Sequence, residues 1–171
     1  EFMYDTVIIG SGPAGLSAAV YAKRAMLNCV VIEKDYMGTG QIAVTERVDN
    51  YLGLYGKSGY DLGVCFRSHA LELGAEFYDG EVVKIVPNND FYNLLFADNK
   101  IVGTRTIIFA AGANPRKLNI KGEKEFSGKG VSYCAVCDGA FYRNKTVAVI
   151  GGGDTALQDA VLLSKIAKTV Y

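Results

Sequence analysis

Short apolar runs punctuate the chain, and glycine or a charged residue closes each of them. Thr6-Val7-Ile8-Ile9 is continuous and stops at Gly10, the pattern of a strand buried on both faces. Cys29-Val30-Val31-Ile32 repeats it, and a helix-compatible stretch from Leu16 to about Ala25 lies between, so this segment predicts a βαβ unit. Leu62, Phe66, His69 and Leu73 recur at helical spacing and predict a helix over roughly Asp61–Leu73, with His69 partly buried on its apolar stripe. A meander follows near Val82–Val86, Phe91–Phe96 and Ile101–Arg105, turning at Asn88-Asn89-Asp90 and Asp98-Asn99-Lys100. Thr106–Ala110 returns to a parallel-type strand that ends at Gly112.

Beyond a polar stretch with Pro115 and several lysines, Asn114–Lys129, the pattern restarts. Thr146–Ile150 reads as a buried strand, and a helix follows with Ala156, Leu157, Ala160 and Leu163 on its apolar side. Val170-Tyr171 reads as the start of another strand. The order predicts an α/β protein with parallel sheets. A Rossmann-like domain with a β-meander would span 3–113, and 114–171 would begin a second Rossmann-like domain.

Composition narrows the class. Half of the 171 residues are hydrophobic, as a packed chain requires, and Lys+Arg equals Asp+Glu at 18 each, so no basic field invites nucleic acid. The apolar runs are too short to cross a bilayer. Glu1-Phe2 reads as a cloning remnant before a start at Met3, and no signal peptide is expected. The four cysteines without such a signal favour the cytoplasm, where a Cys-x-x-Cys is redox-active or metal-binding more often than structural.

Two glycine-rich loops carry the first candidate chemistry. Gly10-Ser11-Gly12-Pro13-Ala14-Gly15 stands between strand and helix, with an acid, Glu33, closing the second strand. Gly10 permits a tight turn, Gly12 lets backbone approach a pyrophosphate and Gly15 allows close helix–strand packing. The helix N-terminus then offers N–H groups and partial positive charge to phosphates. Glu33 would accept from a ribose 2′-hydroxyl, which argues against a 2′-phosphate there. Gly151-Gly152-Gly153-Asp154-Thr155-Ala156 repeats the arrangement, with alanine as the last small residue. Two such loops in one chain indicate one fixed flavin and one exchangeable nicotinamide. The residue that separates NAD from NADP would fall beyond Tyr171.

Cys134-Ala135-Val136-Cys137-Asp138 lies between the loops. A disulfide across so short a loop stabilises by only about 2 kcal/mol, which weakly motivates a structural role. Zinc needs further ligands, and Cys29, Cys65 and His69 are poorly spaced for it, so no metal is expected. A redox role fits best, since the Cys-x-x-Cys spacing lowers one thiol pKa and lets the other resolve a mixed disulfide. Asp138 could carry the proton that dithiol chemistry gains or loses, or simply cap a turn. Cys29 and Cys65 read as small core residues.

With these motifs in order, the chain resembles the low-molecular-weight thioredoxin reductases. The resemblance runs through 9–15, Gly40-Gln41-Ile42, Val48-Asp49-Asn50-Tyr51, 134–139 and 151–154. It implies FAD in the first domain, lined by Ser11, Gly12, Pro13, Ala14, Glu33, Gln41 and Asn50, with Val82 at the adenine end. Gly40 and the Ala111-Gly112 turn would belong to the same site, and Gly151, Gly153, Asp154 and Thr155 to the NAD(P)H site, NADPH being the family's donor. Cys137 would face the flavin, Cys134 would attack the disulfide of thioredoxin or a similar protein, and Asp138 would donate the proton. Ala110-Ala111-Gly112 departs from the family's usual Ala-Thr-Gly. In this family a C-terminal segment completes the FAD domain, so the chain is expected to be the N-terminal part of a longer parent. Alone it is expected to bind flavin weakly, and to dimerise or otherwise associate through a surface left apolar by an unpaired 146–150 strand and its helix. Two rival readings are a ferredoxin-dependent flavin disulfide reductase and a non-catalytic FAD-domain fragment.

Overall fold

A computed structural model of the chain describes residues 3–35 and 38–171; Glu1-Phe2, read as a cloning remnant, lie outside the described residues. The described residues cluster into two compact units that divide between Asn114 and Pro115.

The first unit is built on a sheet with strand order β3-β2-β1-β6-β5-β4. Its strands are β1 (Met3–Ile9), β2 (Cys29–Glu33), β3 (Glu76–Asp79), β4 (Val82–Pro87), β5 (Tyr92–Phe96) and β6 (Ile101–Phe109). β1 pairs in parallel with β2 and β6, β2 with β3, while β4, β5 and β6 form an antiparallel meander. Alternation along the strands feeds two cores. Ile8 and Val31 pack under Leu16, Ala19 and Ala70 of helices α1 (Pro13–Arg24) and α2 (Gly59–Glu72). Val7, Val30 and Ile32 point the other way, onto Leu94 and Phe96 of the meander. Because both faces are covered, the central strands read as unbroken apolar runs.

Several expectations change. Ile101–Arg105 and Thr106–Ala110 are one strand: its first half pairs with β5 and its second with β1, Met3 opposite Gly103 through Ile9 opposite Phe109. Thr104, at the changeover, is fully buried, and its hydroxyl donates to the Thr106 carbonyl at 2.8 Å, so its polarity costs little. β3 was not foreseen; Glu76–Asp79 has no apolar run and is set by pairing with β2. α1 starts at Pro13, so half of the glycine loop is the first helical turn. α2 starts at Gly59 because the Ser58 hydroxyl accepts from the Asp61 N–H at 3.1 Å. Its buried positions are Gly59, Leu62, Gly63 and Ala70, so His69 and Cys65 are exposed rather than packed; Cys29 is buried as expected. Both meander turns form, Asn99 adopting φ 68° and the Asn88 N–H reaching the Phe91 carbonyl at 2.8 Å.

In the second unit, the strand foreseen at 146–150 shortens to β7 (Thr146–Val147), and it is not unpaired: β8 (Thr169–Val170) runs parallel to it. Between them α4 (Asp154–Leu163) buries Leu163 and leaves Leu157 and Val161 each 61% exposed. The polar stretch before the cysteines, expected as a domain junction, begins at the division between the units and is locally organised. The Glu123 carboxylate is buried and accepts from the Leu118 and Asn119 N–H groups at 2.8 and 2.6 Å and from the Tyr133 hydroxyl at 2.6 Å. The Tyr133 bond and these N–H groups hold Glu123 below the ordinary carboxylate range. No described helix is long and apolar enough to cross a membrane.

Candidate functional site

In the first loop the chain itself demands glycine. Gly10 has φ 105°, and a methyl group there would stand 2.3 Å from the Ala110 carbonyl oxygen. At Gly15 it would stand 1.9 Å from the Gly10 carbonyl oxygen, so α1 can lie against β1 only if both positions are bare. Gly12 faces Gly40 and Thr39, whose nearest atoms would be 3.7 and 3.9 Å from an added methyl. The first-turn N–H groups of α1, at Ala14 and Gly15, have no intrahelical partners, and Pro13 has none to satisfy.

Glu33 closes β2 as expected, but its carboxylate turns back on the loop. One oxygen accepts from the Ser11 N–H at 3.0 Å and the Ser11 hydroxyl at 2.8 Å; the other accepts from the Lys34 and Asp35 N–H groups at 2.9 and 3.1 Å. Burial pushes this carboxyl up, yet the hydrogen bonds from Ser11, Asp35 and Lys34 outweigh it and hold the pKa below the usual value. The buried Ser11 hydroxyl also reaches the Gly38 carbonyl. Gln41 is spent structurally as well: its amide donates to the Ala113 carbonyl and to the Asn114 side chain, tying the 40–44 turn to the segment after β6. Gly112 has φ 70°, and Ala111 beside it is exposed, as is Asn50. Val82 is half-buried opposite Phe96 and borders a shallow depression shared with Ile9 and Phe109. The first unit therefore gathers Gly10–Gly15, Glu33, Gly40 and Gln41, while Asn50 stands exposed.

The second loop is open. Gly151 has φ 144° with Ala156 as its neighbour, and an added methyl would meet nothing within 4 Å at Gly152 or Gly153. Gly153 caps α4, Asp154 opens its first turn at the positive end of the helix, and Thr155 follows, all exposed.

Cys134 and Cys137 are joined as a disulfide with Cα atoms 5.3 Å apart. The turn α3 (Ala135–Asp138) holds them, and its Cys137 N–H donates to the Cys134 sulfur at 3.2 Å. Half-buried Asp138 sits on this turn beside exposed Cys137. Its carboxylate meets the Ser132 hydroxyl at 2.5 Å, and Ser132 also receives the Cys134 N–H at 3.1 Å. Reading the sequence alone misses Ser132, although a serine two residues before a turn is a familiar local hydrogen-bonding signal. Glu123 and Tyr133 are missed too, and nothing local announces them.

A parallel sheet, helices on one face, a meander on the other, a strand–glycine–helix loop and a dithiol pair define a class: the chain belongs to the pyridine nucleotide-disulphide oxidoreductase family, which it matches over residues 4–171. It is 45% identical to a thioredoxin reductase of Mycoplasma genitalium and 44% identical to that of Bacillus subtilis, covering 100% and 99% of this chain but 54% and 53% of theirs. Among solved structures it resembles thioredoxin reductase from Streptococcus pyogenes, at 42% identity and a TM-score of 0.92 over 98% of this chain and 54% of that one. The enzyme from Giardia duodenalis matches with a TM-score of 0.92 at 38% identity, over 100% and 55%. The chain thus spans about half the length of the relatives it matches.

Proposed function

We propose that this chain carries the flavin-binding loops and the redox disulfide of a thioredoxin-reductase-type enzyme, in which electrons pass from NADPH through FAD to Cys134–Cys137 and on to thioredoxin or a similar protein disulfide. The observation that carries this reading is the Cys134–Cys137 disulfide with Asp138 on the same turn. That the relatives are named thioredoxin reductases supports it.

The first unit suits a dinucleotide. Only backbone flanks Gly12, and the first-turn N–H groups of α1 can meet a pyrophosphate. All four acceptor positions of Glu33 are taken, so a ribose hydroxyl must displace a donor. Ser11 is the one that can yield, because its single hydroxyl proton has a second acceptor in the Gly38 carbonyl. When bound, the flavin supplies the electron pair that opens the disulfide, and the nicotinamide replenishes it.

The chain's own residues handle the rest. Cys134, half-buried, is the thiol assigned to the partner disulfide, and Cys137 the one assigned to the flavin. The Cys137 N–H stabilises negative charge on the Cys134 sulfur once the bond opens. Asp138 holds the proton that the leaving sulfur takes. The exposed loop at 151–153 favours a nicotinamide over ferredoxin as donor. Exposed, unpaired Cys65 suits a reducing cytoplasm. Ile150 at 65% exposure, with Leu157 and Val161, offers an apolar face for association with a second chain or with the remainder of a parent.

Anaerobic stopped-flow spectroscopy of the full-length, FAD-loaded protein tests this. NADPH should bleach the flavin and oxidised thioredoxin should restore its colour, whereas Cys134→Ser should still bleach but lose at least 100-fold in thioredoxin turnover. A flavin that NADPH cannot bleach overturns the nicotinamide reading. Undiminished turnover by Cys134→Ser overturns the dithiol one.

A further inference from the structure

We propose that Ser132 is the positioning residue for Asp138: one hydroxyl that holds the carboxyl in place whether it is ionised or protonated. The proposal rests on the reading of Asp138 as the proton carrier of the dithiol. Opening the Cys134–Cys137 bond places an electron pair, from the reduced flavin of that reaction, on the two sulfurs. Each then needs a proton. Asp138 as the acid gives one and becomes the carboxylate. When the dithiol later passes its electron pair to a partner disulfide, a proton returns and the acid is restored. A proton carrier must therefore keep its position in both states.

Ser132 has the contacts to do this. Its oxygen lies 2.5 Å from Asp138 Oδ2, 3.1 Å from the Cys134 nitrogen and 3.3 Å from the Cys134 carbonyl oxygen. A hydroxyl has one proton to give and two lone pairs. With Asp138 ionised, Ser132 donates to the carboxylate and accepts from the Cys134 N–H. With Asp138 protonated, the carboxylic acid donates to Ser132, which turns its proton to the Cys134 carbonyl and still accepts the Cys134 N–H. Both arrangements keep Ser132 bonded to Asp138 and to the Cys134 N–H, and neither needs a heavy atom to move. The same atom thus ties the proton carrier to the backbone of the attacking cysteine. The titratable neighbour of Asp138 on the following turn is Tyr142, whose pKa is raised first by burial and then by the Asp138 charge, so it stays neutral. From α4 and the residues after it, Leu163 and Ile166 meet Gly139, and both are apolar.

The reduced chain tests this through the pH dependence of alkylation at Cys134 and Cys137, read by peptide-resolved mass spectrometry so that exposed Cys65 does not interfere. Asp138→Asn should lower the midpoint, because it removes an anion from the turn that carries the sulfurs. Ser132→Ala should move it in the same direction by at least half as much, Ser132→Thr should restore the wild-type midpoint, and the double variant should match Asp138→Asn alone. In the full-length holoenzyme Ser132→Ala should lower kcat about tenfold with KM for the disulfide protein unchanged. A wild-type midpoint in Ser132→Ala, or shifts that simply add in the double variant, overturns the proposal and leaves the role of Asp138 standing. No shift in Asp138→Asn overturns that role, and the proposal with it. A second measurement needs no variant: in NMR titration of the oxidised wild-type chain, the Cys134 carbonyl resonance should titrate with the Asp138 carboxyl at one shared midpoint. Titration of Asp138 without a response at Cys134 would refute the exchange of partners.

Discussion

The two glycine-rich loops have nearly the same wording and opposite physical situations. At 10–15 the glycines are required by the chain: Gly10 lies under the Ala110 carbonyl and Gly15 against the Gly10 carbonyl, each closer than any side chain could tolerate. At 151–153 only Gly151 has a left-handed φ, and Gly152 and Gly153 are open on all sides. A glycine motif therefore mixes two requirements, one set by strand–helix packing and one by what the loop binds. In the first loop folding alone would preserve Gly10 and Gly15, though not Gly12. In the second, backbone conformation accounts for Gly151, and under the proposed reading only a nucleotide would preserve Gly152 and Gly153.

The largest expected effect follows from the tightest contact in the two loops. Gly15→Ala forces either α1 away from β1 or the Gly10 peptide out of its turn, and both disturb the core of Ile8, Leu16, Ala19 and Val31. It should cost about 3 kcal/mol or more in a denaturant melt followed by circular dichroism. Gly10→Ala should cost a similar amount, adding the strain of φ 105° to a backbone clash. A Gly15→Ala variant as stable as the parent chain would break the comparison at its stronger end.

The same division between packing and local signal governs what the sequence made legible. Strands buried on both faces advertised themselves, so β1 and β2 could be read directly; the C-terminal half of β6 carries a similar apolar run although Ile108 and Phe109 are exposed. β3 could not, because its identity comes from the β2 edge it pairs with rather than from an apolar run of its own. His69 and Cys65 were misplaced for a related reason: the helix stripe was read from large side chains, whereas α2 turns Gly63 and Ala70 inward. The disulfide turn was legible as Cys-x-x-Cys-Asp. Its supports were not, since Ser132 acts through a local hydrogen bond and Glu123 through contacts that only the folded turn creates.

Glu33 supplies the intermediate effect and a pH test. Its folded pKa lies below its unfolded value, so its stabilisation is present above the ordinary carboxylate range and fades as pH falls through that range and below it. Glu33→Gln keeps the shape but loses the charge that draws in the Ser11, Lys34 and Asp35 donors. At neutral pH it should cost about 1 kcal/mol, after allowance for the carboxylate's partial exposure. The gap between variant and parent should close on acidification below about pH 4. A gap that does not change with pH would mean that the carboxylate's charge plays no part in holding the first loop.

The smallest effect on stability is the sharpest test of the comparison. An added methyl at Gly152 or Gly153 meets nothing, and Gly153 already has the extended backbone of a helix cap, with φ −91° and ψ 173°. Gly152→Ala should therefore leave the melt within about 0.5 kcal/mol of the parent. Gly153→Ala replaces a good N-cap by a poor one and should cost no more than about 1 kcal/mol. In the full-length protein the same variants should weaken NADPH binding by about tenfold, seen as a raised KM for NADPH with the KM for thioredoxin unmoved, because a methyl would hold the pyrophosphate off the α4 N-terminus. If stability and nucleotide affinity both stay unchanged, nothing distinguishes Gly152 and Gly153 from an ordinary exposed turn. The second loop would then lose its place as the counterpart of the first.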